Sequence, residues 1–80
     1  MAQAEIKSPI PGTFYRKPAP DAANFVDDGG AVEVGQQIGL IEVMKTFIPV
    51  MADVAGTNIV FTVDNEEPVM AGQAIAEVTV

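Results

Sequence analysis

Residues 1–80 predict one all-β domain: a flattened β-barrel or sandwich of two four-stranded antiparallel sheets related by an approximate two-fold. Three observations carry this. Short apolar, β-branched runs alternate with clusters of Gly, Pro, Asn and Asp along the whole chain. No convincing helix start is present. The two halves also repeat: Pro11-Gly12-Thr13 matches Ala55-Gly56-Thr57, and Val34-Gly35-Gln36-Gln37-Ile38 matches Ala71-Gly72-Gln73-Ala74-Ile75. Neither half can bury its apolar face alone, so the two are expected to pack on each other.

The elements follow in order. Glu5-Ile6-Lys7-Ser8 alternates up to Pro9, and Gly12-Thr13-Phe14-Tyr15 follows a Pro9-Ile10-Pro11-Gly12 turn, giving two strands. Asp21 offers a cap for at most one helical turn over Asp21–Phe25, which Asp27-Asp28-Gly29-Gly30 ends. Val32–Val34 is the next strand, Gly35–Gln37 a turn, and Gly39–Val43 and Phe47–Met51 form a hairpin. After a turn at Asp53–Gly56 come the strand Thr57–Val63, a polar turn at Asp64–Pro68, and a last strand at Ala74–Val80. About eight short strands are expected in all.

The repeat is uneven. Gly12 to Gly35 is 23 positions and Gly56 to Gly72 is 16, so the first half holds seven extra residues, placed at Arg16–Ala22.

Composition excludes several classes. Cysteine and histidine are both absent, so no disulfide or zinc site can support a domain of 80 residues, and the core must be ordinary apolar packing. The apolar residues are scattered in short runs, with no stretch of roughly 18 or more, so no membrane span is expected. No charged start leads into an apolar leader, and a cytoplasmic setting is expected. A net charge of −7 argues against nucleic acid and anionic membranes. Nothing in the chain resembles catalytic machinery or a phosphate-binding loop; Gly12, Gly35, Gly56 and Gly72 read as turn residues.

The exceptional stretch is Glu42-Val43-Met44-Lys45-Thr46-Phe47. Of the eleven acids only Glu5 precedes Pro18, so beyond that point Lys45 is the single cation among ten carboxylates. It falls at the tip of the predicted hairpin. Two-residue hairpin loops favour primed turns with positive φ, yet Met44-Lys45 supplies neither glycine nor asparagine. A costly turn residue points to function.

With Glu42-Val43-Met44-Lys45 as signature, supported by Gly12-Thr13-Phe14-Tyr15-Arg16, Pro18-Ala19-Pro20-Asp21-Ala22 and the Gly56 and Gly72 turns, the chain resembles the biotinyl domains of biotin carboxyl carrier proteins of acetyl-CoA carboxylase. Lipoyl domains, the sister family, have Asp where Met44 stands. Val43 and Thr46 depart from the alanine and second methionine usual beside the lysine. The resemblance implies that Lys45 carries covalent biotin, that Met44, Glu42, Val43 and Thr46 flank the site recognised by a biotin protein ligase, and that Pro18, Ala19, Pro20, Asp21 and Ala22 form a thumb. It further implies a non-catalytic carrier passing a carboxyl group from a biotin carboxylase to a carboxyltransferase that acts on acetyl-CoA, for malonyl-CoA and fatty acid synthesis.

Plainer readings exist for most of these residues. A turn lysine is usually a solvated charge, Met44 a gap filler, Glu42 an exposed strand carboxylate, and the Pro18/Pro20 segment a stiff loop. Alternatives for the whole are the carrier domain of another biotin-dependent carboxylase, acting on another acyl-CoA or a urea-like amide, or an unmodified β-sandwich interaction domain. The two-fold reading exchanges the run ending at Val43 with the one ending at Val80. It therefore expects Lys45 at the end opposite Met1 and Val80, at least about 17–20 Å from both. No Pro/Ala-rich linker precedes Ala4, as expected for a cut-down piece or a free-standing small subunit.

Overall fold

In the computed structural model, which describes residues 2–80, seven strands form two antiparallel sheets and the described residues contain no helix. The strands are β1 (Gln3–Lys7), β2 (Gly12–Tyr15), β3 (Gln37–Val43), β4 (Thr46–Met51), β5 (Thr57–Phe61), β6 (Glu67–Val69) and β7 (Ala74–Thr79). One sheet runs β1-β7-β5 and the other β4-β3-β2-β6. The architecture is an open flattened sandwich, not a closed barrel.

Alternation along the strands sets the faces. In the four-stranded sheet Phe14, Ile41 and Ile48 lie opposite one another and turn inward; Tyr15, Leu40, Glu42 and Phe47 belong to the outer face. The other sheet contributes Ile6, Ile59, Ala76 and Val78, and with Phe14, Ile38, Ile41, Val50 and Ile75 these make one buried core. Phe14 fits only because β3 has Gly39 beneath it, where a Cβ would come within 2.5 Å of the ring.

The approximate two-fold is written in hydrogen bonds. Gly35 N–H donates to Ala52 O and Ala52 N–H to Gln36 O, both at 2.8 Å; Gly72 N–H donates to Ser8 O at 2.8 Å and Ser8 N–H to Gln73 O at 2.9 Å. Gly35 and Gly72 share the left-handed backbone these turns need, with φ of 87° and 82°. Gly35 and Gly72 are 37 positions apart, whereas Ser8 and Ala52 are 44 apart. The difference is the predicted seven-residue insertion. The same relation makes the Val80 N–H to Ala2 O bond, at 2.9 Å, the counterpart of the Val43–Thr46 end of the hairpin. Val80 and Ala2 thus stand where the symmetry mate of the turn belongs; Met1 lies outside the described residues.

Three expectations need correction. The second sheet has three strands and not four, because Val32–Val34 contributes a single bridge, Val32 to Gly56, in place of a strand. Its counterpart is the Val69 to Gly12 pair of β6. The ladder stops at one bridge because Gly29 (φ 89°) and Asn58 (φ 56°) turn the two chains out of extended geometry, and β5 shifts register between Thr57 and Val60. Conversely, Glu67–Val69, expected in or after a polar turn, is strand β6. It lies at the sheet edge, where Pro68 costs no ladder hydrogen bond. Asp21 caps no helix: that region holds a turn closed by the Ala22 N–H to Ala19 O bond at 3.1 Å.

Residues 16–31 are irregular, and Pro18–Asp21 are exposed. Deleting 18–23 and joining Lys17 to Asn24 through a short turn is expected to leave cooperative unfolding intact. The stability change should stay within about 1 kcal/mol, since removing a few exposed loop residues alters the entropy of closing the loop only slightly. Loss of a cooperative urea transition would show that the segment belongs to the core.

Candidate functional site

The hairpin tip is the most strained and most exposed point of its sheet. Val43 pairs with Thr46, leaving Met44 and Lys45 as a two-residue turn with φ of 51° and 68°. Left-handed backbone costs a residue with a Cβ about 1–2 kcal/mol, and here two such residues follow each other where Asn-Gly would be at ease. Met44 is 92% exposed, Lys45 and Thr46 are exposed, and Lys45 makes no hydrogen bond or ion pair among the described residues. The strands on either side are firm. Val43 is half-buried against the core, and six residue pairs join β3 to β4 from Gln37–Met51 to Val43–Thr46. A rigid hairpin therefore presents a free primary amine beside a thioether.

Behind the tip, the outer face of the sheet carries a connected group. Tyr15 on β2 donates its hydroxyl to Glu42 Oε1 at 2.8 Å, and its ring lies 6.1 Å from that of Phe47 on β4. Register explains this: Thr13 and Phe47 flank Glu42 in the sheet, and Tyr15 lies on the diagonal from it. Glu42 is accordingly a half-buried hydrogen-bond acceptor and not a free surface carboxylate. That bond, then desolvation, then the nearby charges of Glu42 and Glu66 hold the Tyr15 phenol above its ordinary value of 10.0.

A phenol raised in the folded state stabilises the fold fully at pH below its unfolded value, and loses that contribution as pH rises through the folded value. Glu42→Gln is expected to move the Tyr15 midpoint down towards 10.0. Tyrosinate absorbance reads it cleanly, since the chain has one tyrosine. An unchanged midpoint would mean the bond is not made in solution.

Tyr15 and Phe47 are also walls of a groove of about 360 Å³, completed by Lys17, Pro18, Ala19, Pro20, Asn65 and Glu66. Such a volume falls within the range of small-molecule sites. The structure thus brings Pro18, Ala19 and Pro20 to the residue two places beyond Lys45, while Asp21 and Ala22 line no part of the groove. Asn65 and Glu66 escaped the sequence reading. They come from the other half of the chain, brought in by β6 pairing with β2 and by the Glu66 N–H to Phe14 O bond at 2.7 Å. Glu66's own positive φ of 67° was invisible in an Asn-Glu-Glu-Pro run. No group of side chains suited to hold a metal ion occurs among the described residues, which also contain no helix long and apolar enough to cross a membrane.

Comparison with known proteins gives a consistent answer. Residues 4–79 match the family model described as biotin-requiring enzyme. The chain is 44% identical over 75 residues to a biotin carboxyl carrier protein of acetyl-CoA carboxylase from Nostoc sp., covering 94% of this chain and 41% of that protein. The proteins of the same name from Pseudomonas aeruginosa and Porphyra purpurea are 39% identical over 70 residues and 40% over 75. Those alignments cover 88% and 94% of this chain, and 45% and 48% of the relatives. The chain spans less than half the length of these relatives.

Proposed function

The chain belongs to the biotin-requiring family, and on that premise we propose that it is the biotinyl domain of a carrier protein of acetyl-CoA carboxylase, with Lys45 as the attachment residue. The observation that carries the reading is the Met44-Lys45 turn: two left-handed residues held at a cost on a rigid hairpin, exposing one unpaired amine.

The residues present suit a tethered biotin. Lys45 is free to be acylated, and the groove beside Phe47 offers two aromatic rings and two prolines to an apolar ring system, with an amide, a carboxylate and an ammonium for its polar edge. An ammonium is a poor nucleophile at neutral pH, so attachment needs a ligase. In a ligase site Lys45 Nζ would lose a proton to the ligase or water and take the acyl group of an activated biotin as an amide, the activating group leaving. Met44, Thr46 and the ordered Glu42 and Val43 give the ligase a fixed surface to recognise. When bound, biotin supplies a ring nitrogen that carries a carboxyl group. The chain itself presents and orients; ATP use and carboxyl transfer belong to a biotin carboxylase and a carboxyltransferase, acting on acetyl-CoA in the cytoplasm. The net charge of −7 favours approach to basic partner surfaces.

Intact mass after incubation with biotin, ATP and a biotin protein ligase tests the proposal. A single added biotin is expected; an unchanged mass would return the chain to the class of unmodified interaction domains.

A further inference from the structure

The segment 17–24 has little of its own to hold it. Its internal backbone hydrogen bond is Ala22 N–H to Ala19 O at 3.1 Å, Pro18 and Pro20 have no N–H to give, and Pro18–Asp21 are exposed. Lys17, Pro18, Ala19 and Pro20 nevertheless form part of the groove wall that includes Phe47. A wall so poorly bonded along its length must be fixed at its ends.

Both ends meet at Arg16. Its carbonyl accepts the Phe25 N–H at 2.9 Å, closing the neck, and its own N–H donates to Asn65 Oδ1 at 2.7 Å, tying the neck to another part of the groove. The side chain then turns inward. Its guanidinium carbon sits 4.2 Å from the centroid of the Phe61 ring, and Nη2 lies 3.4 Å from Val26 O and 3.5 Å from the Asp28 carboxylate. Only 18% of the side chain is exposed, and Nε is buried without a protein partner. The Asp28 carboxylate is in turn held by the Phe61 N–H at 3.2 Å. One planar cation thus joins the far end of the segment, strand β5 and, through its backbone, the Asn65 turn.

We propose that Arg16 is a positioning residue that latches the neck of the 17–24 segment and so sets the width of the groove facing the Lys45 hairpin. A lysine cannot take its place, because a compact ammonium cannot stack on Phe61 while reaching Val26 O and Asp28 in the plane of that stack. The latch itself is a property of the unmodified chain. Its consequence for a group carried on Lys45 rests on the reading of Lys45 as the biotin site.

Backbone amide relaxation on the 15N-labelled chain tests the latch without biotin. In the native chain the order parameters of Lys17, Ala19, Asp21 and Ala22 are expected near the rigid value of about 0.85; in Arg16→Lys and Arg16→Met they fall below about 0.6, while amides of β3 and β7 stay unchanged. Native-like values at 17–24 in both variants, or equal loosening of the sheets, would overturn the proposal. Should neither variant fold, Asp28→Asn decides: this exposed carboxylate contributes nothing to the core, and its variant must show the same loosening to a smaller extent or the latch is refuted. A second arm uses biotinylated protein. Shifts of the Tyr15 and Phe47 ring signals on biotinylation should be present in the native chain and lost in Arg16→Lys, and their persistence would refute the link from latch to groove. If Lys45 takes no biotin, the second arm has no sample and the Lys45 reading fails alone.

Discussion

Lys45→Arg is expected to take up no biotin at all, while its unfolding free energy stays within about 0.5 kcal/mol of the native chain. Both halves of the expectation come from the turn. The side chain is exposed and makes no hydrogen bond or ion pair among the described residues, so removing it deprives the fold of nothing, and arginine keeps the charge and tolerates the same φ of 68° about as well as lysine does. Guanidinium, however, stays protonated and cannot attack an acyl-adenylate. Lys7 and Lys17 remain available in the variant, so any residual incorporation would place biotin elsewhere and remove the strained turn from the account. Intact mass and urea unfolding, run on the same preparation, check the two parts together.

Phe14→Ala is expected to have the largest effect on stability of any single substitution. Phe14 is 0% exposed, its ring lies 6.0 Å from that of Phe61, and it occupies the space that Gly39 leaves open. Truncating a buried phenylalanine costs about 3–5 kcal/mol through lost burial and the cavity left behind. Domains are stable by only about 0.05–0.15 kcal/mol per residue, so a chain of 80 residues loses much or most of its margin. Urea titration followed by circular dichroism checks this, with Phe14→Leu expected to lie between the two. A loss under about 1 kcal/mol would mean that the sheets pack differently from the arrangement described. Because Phe14 adjoins Tyr15 and accepts the Glu66 N–H, the groove should loosen with it.

The parts legible in the sequence are those where one local signal admits one structure. Met44-Lys45 between two apolar runs could only be a tight hairpin, and the positive φ expected of such a turn is present at both residues. The glycines repeated at unequal spacing announced a two-fold with seven residues inserted, and the paired Gly35 and Gly72 turns bear this out bond for bond. Strand content read less well at the edges. Val32–Val34 has β propensity but sits beyond Gly29 and Gly30, whereas Glu67-Pro68-Val69 has little propensity and becomes a strand because β2 needs a neighbour. Tertiary pairing overrode local preference in both places. The groove was legible only on the side of Pro18, Ala19 and Pro20. Its partners Asn65 and Glu66 lie more than forty positions away and reach it through sheet register, which no local pattern records.

The measurement closest to the central claim is the loading of a carboxyl group on the biotinylated chain. The chain is first biotinylated, freed of ligase, and incubated with a biotin carboxylase of the acetyl-CoA carboxylase type, ATP and radiolabelled bicarbonate. The label should appear on the protein in proportion to its biotin, be absent from Lys45→Arg, and pass to malonyl-CoA when the carboxyltransferase and acetyl-CoA are added. A biotinylated chain that acquires no label, although free biotin is carboxylated in the same mixture, would contradict its role as a carrier.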